Sequence, residues 1–300
     1  MATKKIKKTK FMNLKDRVVL VGFETKMPPG RKGVRGAAVV VDEKYNANGS
    51  GHFSKFVWGS EFLAPMRKIK NTHGKDHRED TLSWEKPYRM LDVRNKAEYD
   101  KRYRKAKDSW EDAVANAESL FFEELKRAEV RLGDLFDRKD YPEKSDFRSL
   151  FKFEMLPTKA IESTEDLRIH LSNEELDIVE RNLTRKYGDA LSGVWKRVEE
   201  NVGRLSESIG LHAVDPDTGK VTHGYHKTAV ENLRKLVEVL PNLNIDNDPK
   251  LIEISNRIEA ELTKYEVEEL KADGVISEAV RKSAEDILAE AKSKIEGYEG

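Results

Sequence analysis

NKAEYDKRYRKAKDSWEDAVANAESLFFEELKRAEVRLGDLF, residues Asn95 to Phe136, contains no proline and a single glycine near its end. Asn95 is an N-cap residue type, and the run is rich in Ala, Glu, Lys and Arg, so it predicts one long helix. Apolar residues recur at Tyr99, Tyr103, Ala106, Trp110, Ala113, Ala117, Leu120, Phe121, Leu125, Ala128, Leu132 and Leu135. Steps of three and four put them on one stripe, with solvated charge around it. Such a helix spans on the order of 60 Å at about 1.5 Å per residue, so it needs a partner of similar length.

Asn173 to Ile209 is the matching stretch, striped by Leu176, Val179, Leu183, Tyr187, Leu191, Val194, Trp195, Val198, Val202, Leu205 and Ile209. Ser172 with Glu175 three residues on has the form of a capping box at its start. Gly188, Gly193 and Gly203 interrupt it, which implies either close packing or a bend. The fold class expected is mainly α (α+β): a long antiparallel helical hairpin, a small antiparallel β-sheet at one end, and additional C-terminal helices. The sheet is read from Val18–Thr25, which is β-branched, and from the alternation in 151–156 and 167–171.

Working outward, residues 1–13 read as a disordered basic arm and 14–94 as a basic α+β region. Residues 95–210 hold the hairpin and sheet, and 211–300 are acidic and helical. Within 14–94, helices are expected over 34–47 and from Ser60 to about Asn71, and 72–93 reads as polar loop. In the C-terminal part, 227–240 is helical and stopped by Pro241. Asp248-Pro249 opens another helix reaching about Ala272, and 277–295 forms the last.

The chain is 37% charged and has no cysteine, which excludes disulfides, thiolate metal sites and cysteine nucleophiles. No apolar run is long enough to span a bilayer, and the start MATKKIKKTK lacks an apolar signal core, so the cytosol is expected and a membrane is not. Net charge is zero, yet residues 1–80 carry 18 Lys/Arg against 8 Asp/Glu. The asymmetry reads in three ways: solubilising ends, a basic part that meets nucleic acid or an acidic protein surface, or head-to-tail self-association.

No catalytic, cofactor or metal residue is assigned. His73 and His77 stand four apart beside Asp76 and Asp80, but Gly74 lies between them and no third ligand is fixed, so they read as an exposed polar linker. His212, His223 and His226 form a looser group of the same kind. The run Asp215-Pro-Asp-Thr-Gly-Lys220 lacks the second glycine, the following Ser/Thr and the preceding strand of a phosphate loop. Carboxylate pairs occur on every helix and carry no signal, and no nucleophile elbow is present.

Trp110 and Trp195 lie on the stripes and read as core. The partner- or phosphate-binding residues expected are Arg31, Lys32 and Arg35 in the glycine loop GRKGVRG, with Trp58 and Trp84 as exposed anchors near basic residues. The loop also admits a plainer reading, a solvated turn after a strand.

The order of several segments resembles a family of uncharacterised phage, prophage and plasmid proteins. The matching pieces are LKDRVVLV with GRK after it (14–32), RLGDLF (131–136) followed by YP, FKFEMLP (151–157), DLRIHLSNEEL (166–176) and ENLRKLVEVLPNLNIDNDPKL (231–251). The family has no established activity that the resemblance could carry to this chain. Members of that family are often encoded near MoxR-type AAA+ ATPases and von Willebrand A proteins, which implies an adaptor for such a machine. A von Willebrand A partner would take an acidic side chain of this protein at its metal, and the C-terminal helices supply many. The functional expectation is a non-enzymatic helical interaction protein, with nucleic-acid binding through the basic N-terminal region as the alternative.

Overall fold

The computed structural model describes residues 17–161, 171–210, 213–214, 221–223 and 227–299. In chain order the elements are β1 (Val18–Val21), β2 (Phe23–Lys26), β3 (Arg31–Gly33), α1 (Arg35–Tyr45), β4 (Ser54–Phe56), α2 (Ala64–Asp80), β5 (Leu82–Ser83) and β6 (Arg89–Asp92). Then come α3 (Lys96–Ser119), α4 (Phe121–Leu132), β7 (Lys152–Met155), α5 (Asn173–Gly210), β8 (Ala213–Val214) and β9 (Val221–His223). The chain closes with α6 (Lys227–Leu243), α7 (Pro249–Arg257), α8 (Val267–Ala272) and α9 (Gly274–Glu299). The fold is mainly α, with small antiparallel sheets.

Two compact units interleave along the chain. The bundle unit takes its described residues from 17–21, 78–96 and 158–299; the arm unit is 22–77 with 97–157. Asn95–Phe136 and Asn173–Ile209 therefore do not form the expected hairpin.

In the bundle unit, α5 lies along α9 and beside α6. Tyr187, Leu191, Val194, Trp195, Val198, Val202 and Leu205 of α5 pack with Leu233, Leu236 and Leu240 of α6 and with Val280, Ala284, Ile287 and Ala291 of α9. The capping box forms: the Ser172 backbone N–H donates to Glu175 Oε2 at 2.7 Å, and the Glu175 N–H to Ser172 Oγ at 3.3 Å. A Cβ on Gly188 or Gly203 would meet only ordinary contacts, at 3.9 and 3.8 Å, so close packing does not demand these glycines. Asp248 caps α7 through the Lys250 N–H at 2.9 Å with Pro249 in the first turn, as read from the sequence. The helix starting there stops at Arg257 and, after one π turn over 258–262, gives way to the separate α8. Pro241 does not end α6, which runs on to Leu243; that side chain is buried and holds the last turn.

The expected strand Val18–Thr25 exists but breaks at Gly22 into two strands with different partners. In the bundle unit β1 pairs antiparallel with β6, Val18 opposite Asp92 and Val21 opposite Arg89, and β5 completes the order β1-β6-β5. In the arm unit β2 pairs antiparallel with β7, Phe23 opposite Met155 and Lys26 opposite Lys152. Residues 167–170 of the strand expected at 167–171 lie outside the described residues.

Residues 72–93 are not loop: α2 runs to Asp80, and a β5–β6 hairpin follows. Arg197 of α5 secures the end of that helix. Its Nη2 donates to the carbonyls of Arg78 and Thr81 at 2.8 and 2.7 Å and its Nη1 to that of Glu79 at 3.1 Å, groups a helix C-terminus leaves unpaired.

In the arm unit the stripe of Asn95–Phe136 is buried at Tyr99, Tyr103, Trp110, Ala117, Phe121 and Ala128, on two helices that meet at the exposed Leu120 rather than on one. Tyr103, Trp110, Val114, Ala117, Phe121 and Ala128 pack against Trp58, Leu63, Met66, Tyr141, Phe147 and Phe153. Several of these partners come from loops, a short strand and 3-10 turns rather than from a second long helix. Large aromatic rings let such short segments cover a long stripe, since each buries 150–250 Å² or so.

Candidate partner-binding site

The expected glycine loop is a strand and a helix start. Arg31–Gly33 is β3, paired antiparallel with β4, with Arg31 opposite Phe56, Lys32 opposite Lys55 and Gly33 opposite Ser54. The Val34 N–H donates to the Phe53 carbonyl at 3.0 Å, and Arg35 and Gly36 already belong to α1. No backbone cradle for a phosphate forms there.

α1 sits at the end of this two-stranded ribbon. Its return loop is organised by Asp42, whose Oδ1 accepts the Gly51 N–H at 2.6 Å, and by Asn46, Asn48 and Gly49 at positive φ. A Cβ on Gly51 would lie 2.3 Å from that oxygen, so any other residue there would make the Asp42 side chain shift.

None of the α1 side chains is buried, so the apolar spacing of 34–47 predicts the helix but not its environment. Val40 is 63% and Tyr45 68% exposed. Val39, Val40, Val41, Tyr45 and Phe56 are five of the twelve exposed large hydrophobic residues among the described residues, and all five fall within this one arm. Exposed apolar side chains grouped on one short segment make it a candidate interaction surface.

The arm is pinned at its root. Lys32 and Lys55, opposite each other on the ribbon, both reach the Asp140 carboxylate: Lys32 Nζ meets Oδ1, and Lys55 Nζ lies 2.6 Å from Oδ2. Lys55 Nζ also donates to the Leu135 carbonyl at 2.5 Å. The Asp140 side chain is 1% exposed. Burial pushes its carboxyl up, but hydrogen bonds and charge from the two lysines prevail and hold it below the usual range. The same hydrogen bond raises Lys32.

Beside the root lies a cleft of about 390 Å³. Met27, Pro28, Pro29 and Leu150 form apolar walls; Lys26, Arg31, Lys32 and Lys139 carry its positive charge. The Arg31 guanidinium stacks over Phe56, 4.1 Å from the ring centre.

Arg31, Lys32 and Trp58 thus share one cleft, while Arg35 opens α1. Trp58 is not an exposed anchor. It is 2% exposed, stacks on Phe62 at 5.3 Å and meets the edge of Tyr141 at 5.1 Å, so it belongs to the aromatic core. Trp84 lies in the bundle unit, half-buried beside Tyr88 in a different cleft, with Lys186 Nζ 5.9 Å from its ring centre. Sequence reasoning missed Lys26, Lys55, Lys139 and Asp140. Only the polar run after Gly133 hinted at the last two, and nothing local tied them to β3.

His73 and His77 are not an exposed linker either. Both are buried on α2, with the Phe23 ring 4.6 and 5.0 Å from theirs and Tyr103 and Phe153 close to His73. His77 Nδ1 is 2.7 Å from the Tyr99 hydroxyl. Burial, and secondarily the charge of Arg102, push His73 down to about 4, so it is a neutral aromatic at neutral pH. No group of three His, Asp or Glu that could hold a metal occurs among the described residues. Asp215–Lys220, His212 and His226 lie outside the described residues, as does the side chain of His223.

No protein-family model, curated protein or solved structure matches the chain. No helix among the described residues is long and apolar enough to cross a membrane.

Proposed function

We propose that the chain is a non-enzymatic adaptor of phage type, acting in the bacterial cytoplasm, which docks a protein partner through the arm of residues 31–56. The observation that carries this reading is α1, a helix with no buried residue that displays Val39, Val40 and Tyr45 on an arm rooted by cations. An exposed helix rich in apolar side chains beside positive charge suits an apolar groove with acidic surroundings on another protein. The AAA+ ATPase or von Willebrand A protein implied by the family resemblance is the partner to try first.

The nucleic-acid alternative is weakened by the burial of Trp58, one of its two stacking rings. The test is a variant carrying Val39→Ser, Val40→Ser and Tyr45→Ser, used with wild type in crosslinked pull-downs from host cells under nuclease treatment. The variant should melt like wild type, because surface changes usually stay within about ±0.5 kcal/mol each, and should lose the captured protein. Equal capture by both proteins refutes the docking role of the arm, and capture that disappears with nuclease returns the reading to nucleic acid.

A further inference from the structure

An eleven-residue helix is on the order of 16 Å long and covers too little surface to supply the roughly 800 Å² per partner of a standard interface. A stable complex through the arm needs adjoining surface, and the cleft at its root is the neighbour with both shape and charge. Building on the adaptor reading, we propose that this cleft receives an acidic segment of the partner. One large apolar side chain of that segment seats on Met27, Pro28, Pro29 and Leu150, and flanking carboxylates meet Lys26 and Lys139.

Charge identifies the occupant. Among the described residues neither Lys26 nor Lys139 has a carboxylate partner, whereas Lys32 is already committed to Asp140. Four cations against one neutralised carboxylate call for an anion.

The walls decide which anion. A phosphate nest needs successive backbone N–H groups, and the adjoining Pro28, Pro29 and Pro142 supply none. A stacked base needs a free aromatic face. Trp58 gives one to Phe62, Tyr141 stacks on Phe136 at 5.4 Å, and the Tyr141 hydroxyl is bound to the Val57 carbonyl at 2.7 Å. What remains is an apolar trough with ammonium groups on its rim, complementary to a side chain such as Leu or Phe between Asp and Glu.

The test uses a displayed library of random twelve-residue peptides, selected on wild type and on the Lys26→Ser/Lys139→Ser variant. Peptides enriched by wild type alone should carry Asp or Glu on both sides of one large apolar residue. The fluorescein-labelled consensus peptide should bind the variant at least tenfold more weakly. No enrichment over an unrelated bait, a neutral or basic consensus, or equal affinity for both proteins overturns the proposal. Displacement of the peptide by a short single-stranded DNA also overturns it, if the variant does not bind that DNA, because the cleft is then a nucleic-acid site. The two readings fail separately: loss of partner capture in the α1 serine variant but full capture in the lysine variant sinks the cleft and leaves the adaptor standing.

Discussion

Replacing His73 with leucine should remove a defined part of the acid sensitivity of the arm unit. His73 is 3% exposed, and its Nε2 is buried with no hydrogen-bond partner among the described residues. Its folded pKa is depressed from 6.5 to about 4, while an unfolded chain restores the ordinary value. The unfolded state therefore binds a proton that the folded state refuses. The stabilisation is complete above about pH 6.5 and is lost as pH falls towards 4, at up to about 1.4 kcal/mol per pH unit and about 3 kcal/mol in all. At neutral pH the replacement should be nearly neutral. Removing an unpaired buried nitrogen gains about 1–3 kcal/mol, and losing the edge-on contact with Phe23 and packing against Phe153 costs a similar amount. Urea titrations from pH 7.5 to 4.5, in a background with Trp84 and Trp195 replaced by Phe, would follow the arm unit through Trp58 and Trp110. An equally steep fall in stability for wild type and His73→Leu, or a His73 ring that titrates near 6.5 by NMR, would refute the reasoning.

Asp140→Asn should destabilise the arm unit by about 3 kcal/mol, because the buried Lys55 ammonium loses its counter-charge, and amide exchange at Lys32 and Lys55 should rise. Arg35→Glu, on an exposed residue with no such role, should stay within about 0.5 kcal/mol in the same denaturation assay. Arg197→Ala should cost about 2 kcal/mol in the bundle unit by removing the donor to the carbonyls of Arg78 and Glu79, while the Thr81 carbonyl keeps Arg89, and calorimetry of that transition tests it. Trp110→Asp should lower the arm-unit transition by at least 4 kcal/mol, whereas Leu183→Asp should cost under half of that, since Leu183 lines an open cleft and is half-buried.

The local features were legible because their causes are local. Ser172 and Glu175 cap α5, Asp248 and Pro249 start α7, and the alternation over 151–156 gives β7, each through contacts a few residues apart. What a stripe packs against is a long-range matter. The faces of Tyr99–Ala128 and Tyr187–Ile209 are equally plausible mates by periodicity, yet one meets Phe147 and Phe153 and the other meets α9. His73 and His77 misled because a hydropathy pattern counts histidine as polar, whereas a neutral ring among Phe23, Tyr103 and Phe153 packs as an aromatic. Arg31, Lys32 and Arg35 drew attention by charge, but pairing across 108 residues with Asp140 sets Lys32 apart from the two arginines, and no local pattern records that.

The chain passes from one unit to the other four times, at 21/22, 77/78, 96/97 and 157/158. On a ribosome this order acts as a timetable. Every residue of the arm unit has been made once Pro157 is added, while the bundle unit still lacks α9, the main partner of α5. Residues 158–299, which the bundle unit still needs, take roughly 7–30 s at elongation rates of about 5–20 residues per second. During that interval the nascent chain can close the arm unit and expose Val39, Val40 and Tyr45 of α1, so the proposed docking surface exists before the bundle unit is made.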